Sequence, residues 1–194
     1  MKDGNLQKDI YDFLHDAVYL FSVVLLVFVL LMRMVTVDGH SMVPTLQHAD
    51  RLFLLSNTLY SQPETGDVVV AVVPSFNPKE AIVKRVVATE GQTVDIRYDE
   101  TGIGTVYVDG TAMEEPYINE PMGIPSYPTI SFPVTVPEGC VFVMGDNRNH
   151  SADGRYPSIG IFDKRYLLGK ALLLVWPGRA EDGTRSFSRL GRVQ

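Results

Sequence analysis

Sixteen consecutive uncharged residues, Ala17 to Met32 (AVYLFSVVLLVFVLLM), constrain this chain more than any other feature. Beyond Arg33 the apolar character resumes through Val37, and a helix over 17–37 would rise ~31 Å, about the hydrocarbon thickness of a bilayer. The twelve Leu, Val and Phe residues of the run contribute roughly -4 to -7 kcal/mol to insertion. Arg33 opposes this by at most ~3 kcal/mol, and less at a helix end, where its guanidinium can extend to the interface. The sequence therefore predicts an uncleaved transmembrane anchor over 17–37 rather than a buried core helix or a secretory leader. A leader has a shorter apolar core and a small-x-small cleavage site, which Arg33 to Asp38 does not supply. Lys2 and Lys8 bias the preceding segment, 1–16, toward the cytoplasm, although four aspartates surround them.

The chain has 194 residues, enough for one domain of ordinary size beside such an anchor. Past residue 37 it breaks into short runs rich in Val and Ile, such as 67–73, 81–89, 105–108, 134–136, 140–144 and 171–176. Gly and Pro separate them, the punctuation of an antiparallel, mainly β body. The Pro- and Gly-rich stretch 109–137 reads as a loop-rich excursion, and the Arg-bearing tail 178–194 as either a solvated end or a contact with anionic lipid. A net charge of -6 excludes an electrostatic grip on nucleic acid. Cys140, the single cysteine, permits no internal disulfide and no cysteine metal cluster, and its apolar run reads as core. Nothing in the sequence calls for a metal or a cofactor, or sets an oligomeric state.

Three places could carry chemistry. In Asp38-Gly39-His40-Ser41-Met42-Val43-Pro44 a serine sits in a turn between a permissive glycine and a rigid proline. Val43 stands where an α/β-hydrolase elbow needs glycine, so Ser41 is an ordinary turn serine unless a base lies near it. His48 and His150 are possible bases. Lys84 is better placed, because period-two alternation puts it on one face of 82–88 with Ile82, Val86 and Ala88. Such a lysine either snorkels to solvent or is deprived of water, and lowering its pKa from ~10.4 to ~7 costs the charged form ~4.6 kcal/mol, within the reach of burial. Last comes Gly145-Asp146-Asn147-Arg148-Asn149-His150-Ser151-Ala152-Asp153-Gly154-Arg155, dense in turn-forming polar residues. Its spacing fails as a calcium loop, where Arg148 and His150 would replace oxygen ligands.

In this order behind an anchor, these segments resemble those of bacterial type I signal peptidases. Gly39-x-Ser41-Met42-x-Pro44-Thr45-Leu46 is similar to the family's nucleophile box, Lys84-Arg85-Val86 to its base box, and 145–155 to its C-terminal box. The resemblance implies a mainly β catalytic body over 38–177 with a smaller β-rich portion inserted at about 98–137. It implies preprotein signal peptides as substrates, a lipid bilayer as a second partner, a cytoplasmic N-terminus and an extracytoplasmic body held by a single pass through the cell membrane. Ser41 would be the nucleophile and Lys84 the general base, neither needing a cofactor. Ser151 would hydrogen-bond and orient the lysine, while Asp146, Arg148, Asp153 and Arg155 buttress the site. Three positions depart from the best-known pattern: Gly39 replaces a serine that helps bind the oxyanion in some members, His150 a frequent Asn, and Gly154 a frequent Ser. Eukaryotic-type relatives use histidine where Lys84 stands, and self-cleaving Ser-Lys regulators carry modules this sequence lacks. From a different class, an anchored non-catalytic scaffold would leave Ser41 and Lys84 facing solvent.

Overall fold

β-Branched runs too short to bury themselves as helices pair instead into two antiparallel sheets. The computed structural model describes residues 2–180 and 183–193, and the side chains of all of these except 2–7, 9 and 27–32. The helix α1 (Lys2–Leu31) passes directly into β1 (Met32–Thr36). The larger sheet runs in the order β1, β2 (Arg51–Ser56), β11 (Leu167–Trp176), β3 (Val68–Ala71), β4 (Ile82–Thr89), β9 (Cys140–Met144), β10 (Phe162–Asp163), with β12 (Gly191–Arg192) added to β11. The smaller sheet runs β7 (Thr111–Ala112), β6 (Gly104–Val108), β5 (Thr93–Tyr98), β8 (Val134–Thr135).

Three boundaries differ from the sequence expectation. The helix stops at Leu31, and 32–36, expected within the anchor, is a strand paired with β2 from Met32↔Leu55 to Thr36↔Arg51. Val35 and Thr36 are β-branched and find a ladder there, which outweighs continuing the helix. Among the described residues no helix is long and apolar enough to cross a membrane; part of the apolar run, 27–32, lies outside the described side chains. The inserted sheet begins at Thr93 rather than near 98, because Val94 to Tyr98 pair with Val108 to Gly104. The tail is a packed element: β12 pairs with Leu173 and Leu174 of β11, and Val193 packs against a core cluster.

Every residue of β3 is buried, so this central strand reads as a continuous apolar run rather than an alternation. Val68 and Val70 join Leu52, Leu54, Ala171 and Leu174 on one side. Val69 and Ala71 join Val86, Val141, Val143 and Phe162 on the other. A third cluster, with Val87, Ala88, Phe142 and Met144 from the larger sheet and Val94, Ile96 and Val106 from the smaller, joins the two sheets. Opposite β9, β4 slips register between Val86 and Ala88; Val87 is the extra residue of this bulge, so the period-two pattern predicted through Ala88 ends at Val86. Phe142 has no exposure, and Phe142→Ala should destabilise the body by ~3–5 kcal/mol in urea titration. A loss below ~1 kcal/mol would show that this cluster does not hold the sheets together.

Candidate active site

The turn after β1 is closed at its neck by Val37 N–H to Asp50 O (2.8 Å) and Ala49 N–H to Val37 O (2.9 Å). Met42 and Leu46, both 1% exposed, enter the core beneath β2 and leave Ser41 half-buried between them and solvent. Asn147 fastens the turn from the far side, its N–H donating to Ser41 O (3.0 Å) and its Nδ2 to His40 O (3.1 Å). Gly39 has φ +91°, a left-handed conformation that would strain a serine there by ~1–2 kcal/mol. The departure from serine at this position therefore suits the backbone. Pro44 is exposed on the same turn.

β4 brings Lys84 to this serine. The lysine is 4% exposed; its Nζ lies 2.6 Å from Ser41 Oγ and donates to Val83 O at 2.9 Å. Burial pushes its pKa down to about 8, against the carboxylates of Asp153 and Asp146, which favour the ammonium. Ser151, expected to orient the lysine, is also buried, but its Oγ has no hydrogen-bond partner. The carbonyl of Val83, the residue preceding Lys84, is the second partner of Nζ. No histidine replaces the lysine: His48 accepts from Gly39 N–H (3.2 Å), and His150 faces Glu120 (3.9 Å).

Behind the pair lie three buried arginines, each 1–2% exposed and each held by a carboxylate, as charges taken out of water require. Arg85 grips Asp146 with two bonds (Nε–Oδ1 2.8 Å, Nη2–Oδ2 2.7 Å). Arg155 does the same to Asp153 (2.9 Å each), whose Oδ2 also accepts from Gly145 N–H (3.0 Å). Arg148 pairs with Glu115 and donates to Gly145 O (3.0 Å). Thr45 Oγ1 donates to Asp146, linking the serine turn to the strand of the lysine.

Sequence reading placed Thr45 and Arg85 in the resembling segments but gave them no role, and it passed over Glu115 and Tyr117, whose ring centroid lies 3.9 Å from the Arg85 guanidinium carbon. Arg85 carried a signal, since an arginine inside an apolar strand needs a carboxylate. Which carboxylate follows only from the pairing of β4 with β9, where Arg85 lies opposite Met144, two residues before Asp146. Glu115 and Tyr117 sit in an aperiodic loop that offered none.

A groove of about 380 Å³ opens at the pair, lined by Val35, Val37, Val70, Ile82 and Val83 together with Ser41 and Lys84. Among the described residues, no three His, Cys, Asp or Glu side chains gather so as to hold a metal ion. A nucleophile candidate, a dehydrated amine and a groove with valine walls and the carboxylates of Asp38 and Glu80 in its lining thus share one place, the constellation of a serine hydrolase.

A family model described as signal peptidase, peptidase S26, matches residues 10–176. The probable signal peptidase I-1 of Synechocystis sp. is 35% identical over 160 residues, 78% of this chain and 75% of the relative. Signal peptidase I of Bacillus licheniformis is 30% identical over 183 residues, 91% and 94%, and signal peptidase I S of Bacillus subtilis is 32% identical over 148 residues, 73% and 75%. The matched span contains the serine turn, the lysine strand and the arginine cluster alike, and the chain belongs to the signal peptidase family, peptidase S26.

Proposed function

We propose that this protein is a membrane-anchored serine endopeptidase that removes signal peptides from exported preproteins, with Ser41 as nucleophile and Lys84 as general base. The observation that carries the reading is the 2.6 Å approach of a buried lysine nitrogen to the Ser41 hydroxyl. Neutral Lys84 takes the Ser41 proton as Oγ attacks the carbonyl at the signal-peptide junction, and returns it to the departing amine. Water then hydrolyses the acyl-enzyme by the same proton route. The Ser41 N–H, which has no acceptor among the described residues, is the donor we assign to the oxyanion. The valine-lined groove suits small side chains at the -1 and -3 positions, as the family resemblance implies.

We further assign α1 as the anchor, with its N-terminus cytoplasmic and the β body outside. Ile10, Phe13, Val18, Leu20, Phe21, Val24 and Leu26 are all at least half exposed, and apolar side chains around the whole helix need an apolar medium. The helical part of the apolar run, 17–31, rises ~22 Å, which a locally thinned bilayer accommodates.

Ser41→Ala and Lys84→Ala should each abolish processing of a purified preprotein, read by mass spectrometry of the products; cleavage retained by either would overturn the assignment. Below about pH 8 the lysine is mostly protonated, so kcat/KM should rise nearly tenfold per pH unit and level off above that value; a flat profile from pH 6 to 9 would contradict a lysine base. The depressed pKa also costs stability. The unfolded chain binds this proton more tightly, so the penalty grows as pH falls from 10.5 to about 8 and is full below that. In urea titration Lys84→Met should gain up to ~3 kcal/mol at pH 7 and almost nothing near pH 10.5. Deleting 2–31 should release the protein from membranes into the supernatant at alkaline carbonate; retention in the pellet would argue against α1 as the anchor.

A further inference from the structure

Arg189 lies in the C-terminal tail, beyond the stretch matched by the family, yet it reaches the segment that carries the serine. Asp50 is completely buried and closes the neck of that segment. Its carboxylate accepts from Gln47 N–H (2.7 Å), Gly178 N–H (2.6 Å) and both Nη atoms of Arg189 (3.0 and 2.6 Å). The same guanidinium donates to Thr45 O (3.3 Å) and Gln47 Oε1 (3.0 Å). One side chain thus holds Thr45, Gln47 and Asp50 from outside the turn.

Thr45 is the junction. Its carbonyl is held by Arg189, its hydroxyl bonds to Asp146, and Asp146 is gripped by Arg85, the neighbour of Lys84. The tail also presses on the turn through packing: Val193, fixed by its N–H to Leu172 O (3.0 Å), packs on the cluster that includes Met42 and Leu46. Met42 follows Ser41 directly. Polar contacts of the tail thus reach Thr45, Gln47 and Asp50, and its apolar contact reaches the cluster that holds Met42 and Leu46.

From this we infer that Arg189 is a positioning residue for the proteolytic reaction, clamping Thr45 to Asp50 so that Ser41 stays at bonding distance from Lys84. The inference rests on the Ser41–Lys84 reading of the previous section. A nucleophile displaced by about 1 Å can lose on the order of 100-fold in rate, and loss of the clamp leaves a buried carboxylate short of its cation.

The test is steady-state cleavage of a preprotein by the full-length, detergent-solubilised enzyme, with thermal melting measured in parallel. Arg189→Ala should lower kcat by roughly 10- to 100-fold with KM changed less than about threefold. Arg189→Lys, which keeps the charge on a single donor nitrogen, should recover part of the loss, while Arg192→Ala, an exposed cation of the same tail, should match the unaltered enzyme. A merely structural arginine would lower the melting temperature and leave kcat of the folded protein unchanged, and that result overturns the proposal. If Arg189→Ala shows no cooperative melt, Arg189→Gln decides, assayed where it is fully folded: unaltered kcat overturns the clamp and a kcat-selective loss upholds it. Ser41→Ala run alongside separates the two levels. Cleavage by that variant sinks the catalytic pair itself, whereas a dead Ser41→Ala beside a fully active Arg189→Ala sinks the clamp alone.

Discussion

Water is kept from one amine, and the arrangement around the site follows from that exclusion. Lys84 sits inside a β sheet at 4% exposure, where its charged form is disfavoured and its neutral form can meet a serine hydroxyl. Two carboxylates near it pull the other way. Asp146 and Asp153 favour its charged form. Each is also bound by two bonds to its own arginine, so the cluster behind the site braces it while burial outweighs the carboxylates at the lysine.

That balance explains the density of buried charge. Pairs of this kind seldom add stability over apolar packing of the same volume, and a body with three clusters of Val, Leu, Ile and Phe has no need of them to fold. Their value is geometric. Arg85 fixes Asp146 at the end of β9, Arg155 fixes Asp153, and Arg148 ties the loop of Glu115 to Gly145. The base, the serine turn and the inserted portion are thereby locked to one frame.

Much of this could be read from the chain. The strands announce themselves as β-branched runs cut by Gly and Pro, and the two side chains that meet at 2.6 Å are marked by a serine in a Gly/Pro turn and a lysine on an apolar strand. Local pattern did not reveal where the elements end or which charges meet. Val35 and Thr36 extend an apolar run in the sequence, but their strand partners Leu52 and Arg51, well beyond the next turn, decide their conformation. The bulge at Val87 is a compromise between β4 and β9 that neither strand encodes alone. The pairings Arg148–Glu115 and Arg189–Asp50 cross 33 and 139 residues, distances at which only the completed topology relates one residue to another. Ser151 shows the reverse limit: family likeness named a partner for it, and its hydroxyl remains unbonded.

The passage from Leu31 to Met32 takes the chain from helix to sheet with no residue between them. A linker at that point would leave the direction of the helix independent of the plane of the sheet. Without slack, a shift of the helix is passed straight to the first strand, which supplies Val35 and Thr36 to the groove wall.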